Sequence, residues 1–511
     1  MRSISSDYFA QKNAVGGEKI LPDPTVLTGS NPLPRMSERL ANSPKNAIAV
    51  AEPLSYTMST LPSGVKVVTE NRIVPVAAVG ISSPGGPRYE TEPWMKGAFY
   101  FLERMCFKET KFNTSQDIVR QVERGGGNAF ASVTQEEMFW ACDCLQEDID
   151  NAVRMLSNNL FYSVYNNNEI DYSRQIIPFE FENYIQNTVQ YVVDALCHTA
   201  FRGSPLGDTL FPSEENLSRV NSDTLKAVAA STFQPDRLTI AGIGIEHAVL
   251  VESVNRHIPI PSDITTTTDT SSTDQKAKAS VPSLYIGGYA HLPDIRHVNP
   301  LAVDEGQMID VGLAWKAPSL HETHDMTTLM VLSTLLGGGD SFSSGGPGKG
   351  MFSILYEKVL VRHHFMKSAK AIVQSFSDNG LFCLYGKAPA HMYEHLLSAL
   401  LTPVRELLKP GGIEESRLRR AKNMLMYQYL SQLETRQGAV DNMARQAMHL
   451  GKIASHASVQ ADIESVTAKD IYELLRKMFA SPATLVTLAK NETLHKDDII
   501  ERVEQFMRSS D

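Results

Sequence analysis

Cysteine is scarce in this chain. Five residues in 511 (Cys106, Cys142, Cys144, Cys197 and Cys383) are too few, and odd in number, for a disulfide framework. Cys142 and Cys144 stand two apart in a strand-like run, share one face and are poorly placed to bridge each other. With no second Cys or His pair nearby they make no structural zinc site either, so all five are read as reduced, buried thiols. Long apolar runs are also missing: no stretch reaches the roughly 20 apolar residues of a membrane span. Nor is there an excess of basic charge. Lys and Arg number 48 against 58 Asp and Glu, a net charge of -10. That balance argues against nucleic acid as the main partner and is compatible with a basic peptide. The first residues lack the apolar core of a secretory signal. Residues 1–50 carry six basic and four acidic side chains. This is a poor mitochondrial presequence by composition, so such a leader is either atypical or already removed.

What is present is an ordinary globular composition, 42% hydrophobic and 21% charged. The length suits two to four domains at roughly 100–200 residues each. Residues 1–54, rich in Ser, Pro, Asn and Gly, read as an extension that needs a partner surface to become ordered. Residues 262–282 hold almost no large apolar side chains and read as a linker. They separate two domains, 55–261 and 283–511, which repeat each other. Val79-Gly80-Ile81 before Glu90-Thr91 matches Val311-Gly312-Leu313 before Glu322-Thr323, at a constant offset of 232. Val220 to Leu225 before Phe233 matches Val466 to Ile471 before Phe479, at a constant offset of 246. Two such matches in the same order predict a duplicated domain. Ser222 and Thr467 are placed to cap the helices that follow, with strands next at 237–240 and 483–487. In the first half, strands are expected at 65–69, 76–82 and 129–144, and helices at 95–106, 148–160 and 175–201. The expected fold class is α+β: two homologous halves, each a mixed, largely antiparallel sheet covered by helices.

Three segments could carry chemistry. In the helical run from Gly97, residues Tyr100, Glu103 and Arg104 fall at i, i+3 and i+4. In an H-x-x-E-H motif that spacing puts two His ligands and a general base on one face. Here the ligand positions hold a phenol, protonated at neutral pH, and a permanent cation without a free lone pair. On its own the segment is an ordinary helix. His391-Met-Tyr-Glu-His395 is a literal H-x-x-E-H. It lies in the second half, where the repeat matches the helix near residue 148, and reads as the start of a surface helix over 391–401. The third segment is 337–350, in which seven of fourteen residues are glycine. It lies between helical runs at 326–336 and 352–360. Ordering it carries a heavy backbone-entropy penalty, so it is expected to be mobile, with backbone groups free to meet an extended peptide. It is no P-loop: Gly350 follows Lys349 where Ser or Thr is required, Ser343 replaces the first glycine, and a helix precedes it. A plain flexible linker is the other reading of this composition.

The runs Val76-Ala-Ala-Val-Gly-Ile81, Pro84-Gly-Gly-Pro-Arg-Tyr-Glu90 and Gly97 to Thr110 resemble the start of the M16 (pitrilysin-like) peptidases. They look most like the branch holding the mitochondrial processing peptidase and the core proteins of the cytochrome bc1 complex. In active members a Glu ligand lies 76 residues beyond the second His, and the same count from Arg104 reaches Glu180. The glycine-rich segment with Met351-Phe-Ser-Ile-Leu-Tyr356 after it resembles the loop of the α-type subunits. So do Arg420-Ala-Lys-Asn423 and Leu433-Glu-Thr-Arg436, and the likeness covers about residues 55–505. The resemblance implies a non-catalytic, substrate-recognising subunit with a degenerate site at Tyr100, Glu103, Arg104 and Glu180. It implies no metal or other cofactor in this chain. Arg104 would fill the metal's space and pair with Glu180 or Glu103, or else face solvent. Substrate contacts would come from Gly337, Gly338, Gly339, Ser341, Phe342, Gly345, Gly346, Gly348, Lys349 and Gly350. The implied partners are a homologous β subunit bearing zinc, basic presequence peptides and, in some lineages, cytochrome bc1 subunits. The implied place is the mitochondrial matrix or the matrix side of the inner membrane. A purely structural bc1 core subunit is the alternative.

Overall fold

The computed structural model describes residues 55–72, 74–259, 282–295, 307–342, 346, 350–409, 411–490 and 499–508. The extension 1–54, linker residues 262–281, and Gly345, Gly348 and Lys349 lie outside them.

Near-continuous apolar runs, buried along almost their whole length, form the central strands of two six-stranded sheets. The first contains β1 (Tyr56–Thr60), β2 (Lys66–Glu70), β3 (Val76–Pro84), β4 (Asn128–Val133), β5 (Glu137–Leu145) and β6 (Thr239–Ile243), in the order β1-β2-β6-β3-β5-β4. The second contains β7 (Gly288–Pro293), β8 (Met308–Ala317), β9 (Gly338–Asp340), β10 (Ser368–Ser375), β11 (Gly380–Pro389) and β12 (Thr484–Ala489), in the order β7-β12-β8-β11-β10-β9. Five strands correspond one to one. β2, β6, β3, β5 and β4 match β7, β12, β8, β11 and β10, each series with one parallel pair at its start and antiparallel pairs after it. The halves differ at their edges, where β1 lies outside β2 and β9 lies outside β10. The duplicated α+β architecture is therefore present in the fold.

Several local expectations need correction. Residues 129–144 are not one strand but the β4–β5 hairpin, closed by Thr134 N–H donating to Glu137 O at 2.8 Å. Residues 175–201 are two helices, Asn167–Tyr184 and Thr188–Ala200. Asn187 caps the second through its side chain, which accepts from Gln190 N. The cap of helix Ser222–Thr232 is Asn221, one residue before Ser222. Thr467 does cap Ala468–Phe479, in a reciprocal box with Asp470. The strand expected at 237–240 starts at Thr239, because Pro235–Arg237 forms a tight 3₁₀ turn first.

The halves exchange helices. Arg436–His449, from the second half, lies across β3 and β6 of the first sheet. There Val440, Met443, Ala444 and Ala447 pack with Val68, Ala78, Ala241 and Ile243. Thr188–Ala200, from the first half, lies across β8 and β12 of the second sheet. Its Val192, Leu196 and Ala200 pack with Ala314, Tyr385 and Val486. The repeated Gly80 and Gly312 sit under these helices. A Cβ at Gly80 would come within 2.6 Å of Val440 Cγ1, and one at Gly312 within 2.5 Å of Val192 Cγ1.

An ionic clasp adds to this. Arg88, 4% exposed, donates through Nη1 and Nη2 to the two oxygens of Asp378, both at 2.7 Å, and also to Glu136. Glu136 in turn accepts from Ser377 N at 2.8 Å, and Asp378 accepts from Ser283 N at 2.7 Å, just past the linker.

Candidate functional site

The site helix, Ala98–Arg104, buries Phe99, Phe101 and Leu102 in the core of the first half. Its start is satisfied by one carboxylate: Glu90 accepts from Gly97 N at 2.7 Å and Phe99 N at 2.9 Å. Gly97 has φ +85, and a Cβ there would lie 2.5 Å from Pro212, so only glycine fits. Burial pushes the Glu90 carboxyl up to about 7 against the pull of its two backbone donors.

Anchored this way, the helix turns Tyr100, Glu103 and Arg104 toward helix Asn167–Tyr184, which carries Glu180. The structure brings all four together. Tyr100 Oη donates to Glu180 Oε2 at 3.0 Å. Arg104 Nη2 donates to Tyr100 Oη at 3.4 Å, and the guanidinium lies 5.1 Å from that ring's centroid. Arg104 Nε stands 3.1 Å from Glu180 Oε2, but off the N–H line, so this is an ion pair rather than an aligned hydrogen bond. Glu103 is the more distant partner, at 3.9 Å. Burial raises the Glu103 carboxyl above its usual range, the Glu180 charge adds to this, and Arg104 opposes it. Burial works against the Arg104 charge, but Tyr100 and the two carboxylates outweigh it and hold the guanidinium protonated. Desolvation first of all keeps the Tyr100 phenol protonated as well. Both groups thus present donors, not lone pairs, to the carboxylates around them.

Beside this cluster opens a chamber of about 1120 Å³, walled by both halves. Sequence reasoning missed its aromatic wall. Tyr100 packs on Phe211 with ring centroids 4.6 Å apart, and Phe211 on Tyr184 and Phe181 at 4.7 and 5.4 Å. Tyr191 continues the wall, 5.9 Å from Tyr184. Phe181 and Tyr184 share a helical face at i, i+3, which the sequence does show. Tyr191 and Phe211 join them only through the tertiary fold.

The glycine-rich segment begins as structure, not as mobile coil. Gly338–Asp340 is the edge strand β9, registered against Ser368 to Lys370 of β10. Gly338 has φ +109, and a Cβ there would lie 2.0 Å from Ala369 O. Ser341 N–H still donates to Lys367 O at 2.8 Å, and Lys367 Nζ lies 5.4 Å from the Phe342 ring centroid. Phe342 itself is 89% exposed. Gly339 and Gly350 have open space around them or only distant contacts, and Gly346 N–H donates to Met351 Sδ at 3.2 Å.

The literal H-x-x-E-H does not form a site. His391 lies in a 3₁₀ turn, Ala390–Met392, before helix Tyr393–Glu406 begins. Glu394 is held by Arg502 at 2.8 Å, and the buried side chain between the histidines is Tyr393. The helix packs on β11 as Ile149–Phe161 packs on β5, which is the equivalence the repeat predicts.

Comparison with known proteins follows the same lines. Residues 66–214 match the family described as insulinase, peptidase family M16, and residues 219–425 match the peptidase M16 inactive domain. The chain is 30% identical over 439 residues to the mitochondrial-processing peptidase subunit alpha of Solanum tuberosum, covering 85% of this chain and 82% of that one. It is 28% identical over 434 residues to a probable mitochondrial-processing peptidase subunit alpha-1 of Arabidopsis thaliana, covering 85% and 82%. With the Homo sapiens mitochondrial-processing peptidase subunit alpha the identity is 27% over 470 residues, covering 90% and 87%.

Proposed function

We propose that this chain, which belongs to peptidase family M16 in the group of mitochondrial-processing-peptidase α subunits, is a non-catalytic subunit that holds basic presequences for cleavage by a homologous, zinc-bearing β subunit in the mitochondrial matrix. The observation that carries this is the pairing of Arg104 with Glu180. A zinc site needs lone pairs at the positions of Tyr100 and Arg104. The phenol and guanidinium there offer donors, and both engage Glu180, the one remaining carboxylate ligand. These residues do not fit a zinc ion, so hydrolysis belongs to the partner chain.

This chain's own contribution is binding and orientation. The exposed Phe342 stands just past the ordered edge strand β9, where its ring is open to meet a peptide. No described helix is long and apolar enough to cross a membrane. The test is reconstitution with the β subunit. The pair should cleave a presequence and carry zinc in the β subunit alone, while this chain by itself does neither. Deleting residues 341–350, which spares β9, should raise KM at least tenfold. Chelator-sensitive cleavage by the isolated chain would overturn the reading. If the chain instead co-purifies with cytochromes b and c1 and processing continues without it, the bc1 core-subunit alternative replaces it.

A further inference from the structure

We infer that the chamber wall carries a subsite for a cationic side chain, an arginine or lysine of an extended peptide, formed by Asp194 with the rings of Tyr184 and Tyr191. The inference rests on the reading that this chain receives basic peptides, and it names where one positive charge goes.

Five carboxylates line the chamber (Glu136, Glu137, Asp194, Asp208 and Glu214), against one arginine, Arg445. Three of the five are already neutralised: Glu136 by Arg88, Glu137 by Arg445 at 3.2 Å and Asp208 by Lys96 at 2.6 Å. Glu214 projects from the exposed start of a short helix. Asp194 has no cationic partner among the described residues. It is held in place by neutral donors instead, Tyr184 Oη on one oxygen and Gln190 Nε2 at 2.8 Å on the other.

Two properties make this carboxylate a receptor rather than a solvated surface charge. It is accessible to solvent and yet surrounded by protein, as a residue on a concave wall is. Its side chain keeps contact with solvent, and the protein packed around it raises its pKa above the usual carboxylate range despite its two hydrogen bonds. An arriving cation would reverse that penalty. Tyr184, its hydrogen-bond donor, stands nearly perpendicular to Tyr191 at 5.9 Å, and Phe181 is 6.2 Å from Tyr191. Ring faces beside a carboxylate attract a guanidinium or ammonium through the aromatic quadrupole. The chamber is larger than the roughly 300–1,000 Å³ of most small-molecule pockets, so a stretch of peptide can enter with the side chain.

The test uses the full chain and two synthetic decapeptides that differ only by arginine against citrulline, its neutral near-isostere, with binding read by fluorescence anisotropy. Wild type should prefer the arginine peptide by about fivefold. Asp194→Asn should bring that ratio close to one without weakening the citrulline peptide, and Asp194→Glu should restore part of it. Tyr191→Leu, outside the hydrogen-bonded pair, should lower the ratio by about half. A thermal melt of each variant checks folding. A wild-type ratio of one, or an unchanged ratio in Asp194→Asn, overturns the subsite. If the ratio is unchanged while the reconstituted pair still cleaves presequences, only the subsite falls. If cleavage proceeds without this chain, the broader reading falls.

Discussion

Val440 of the second half packs directly onto Gly80 of the first, so closely that a methyl group at position 80 would meet Val440 Cγ1 at 2.6 Å. Gly312 and Val192 repeat the relationship with the halves reversed. Each half thus completes its partner's core, and neither buries its sheet alone. Gly80→Val and Gly312→Val should each destabilise the fold by about 1–3 kcal/mol through overpacking. Denaturant unfolding checks this. The exchange also requires one cooperative transition for both halves, even after a protease has nicked the segment 262–281. Two separate transitions would contradict it.

Tyr100→His with Arg104→His would place two imidazoles beside Glu180. The double variant should take up about one zinc per chain by metal analysis, since three ligands then converge at the spacing of the active motif. Arg104→His alone leaves one imidazole and one carboxylate and should not. The lost ion pair itself matters little: Arg104 and Glu180 are 35% and 27% exposed, and such pairs contribute under about 1 kcal/mol.

Glu90 predicts a pH dependence. Its carboxyl titrates at about 7 when folded against 4.5 ordinarily. A folded pKa above the unfolded one means that the native state holds the proton longer. Its contribution is therefore fully present below pH 4.5 and is lost as pH rises toward 7. Glu90→Gln should flatten that part of the stability profile. A variant whose melting temperature keeps the wild-type slope over this window would rule the assignment out.

Removing the cation of the Arg88 clasp strands Glu136, which is 7% exposed in its side chain. Arg88→Met should cost about 3–5 kcal/mol, as breaking a buried pair generally does. The Asp378 carboxyl feels burial first, but the Arg88 hydrogen bonds outweigh it and hold its pKa below the usual range. Its stabilisation is thus present above the unfolded pKa and is lost as pH falls through the folded value. Asp378→Asn should remove this acid-side loss, read as a shallower fall in melting temperature below pH 4.

Much of the plan is legible in the sequence. Two constant offsets announced the duplicated domain, and Thr467 announced a helix start, whereas Ser222 missed its helix's cap, Asn221, by one residue. The cluster of Tyr100, Glu103, Arg104 and Glu180 came from helical spacing and a family resemblance. The β4–β5 hairpin was hidden because its turn residues, Thr134 to Glu136, carry no glycine or proline. β9 was hidden because glycine forms strands poorly alone, and its partner β10 lies about thirty residues onward. The Asp194 subsite was hidden because Tyr184 and Tyr191 stand on two successive helices, and only the turn between those helices brings their rings together.

The residue types alone determined that position 104 has no lone pair to give and that position 100 holds a phenol, protonated at neutral pH and a poor zinc ligand, because these are properties of a guanidinium and a phenol. They also determined the periodicities that make strands and helices, since these depend on neighbours within a few residues. Only the tertiary structure decided which helix covers which sheet, why Gly80 and Gly312 carry no side chain, and which carboxylate Arg104 holds. Those outcomes rest on contacts between residues far apart in sequence, where packing, not local propensity, sets the energy.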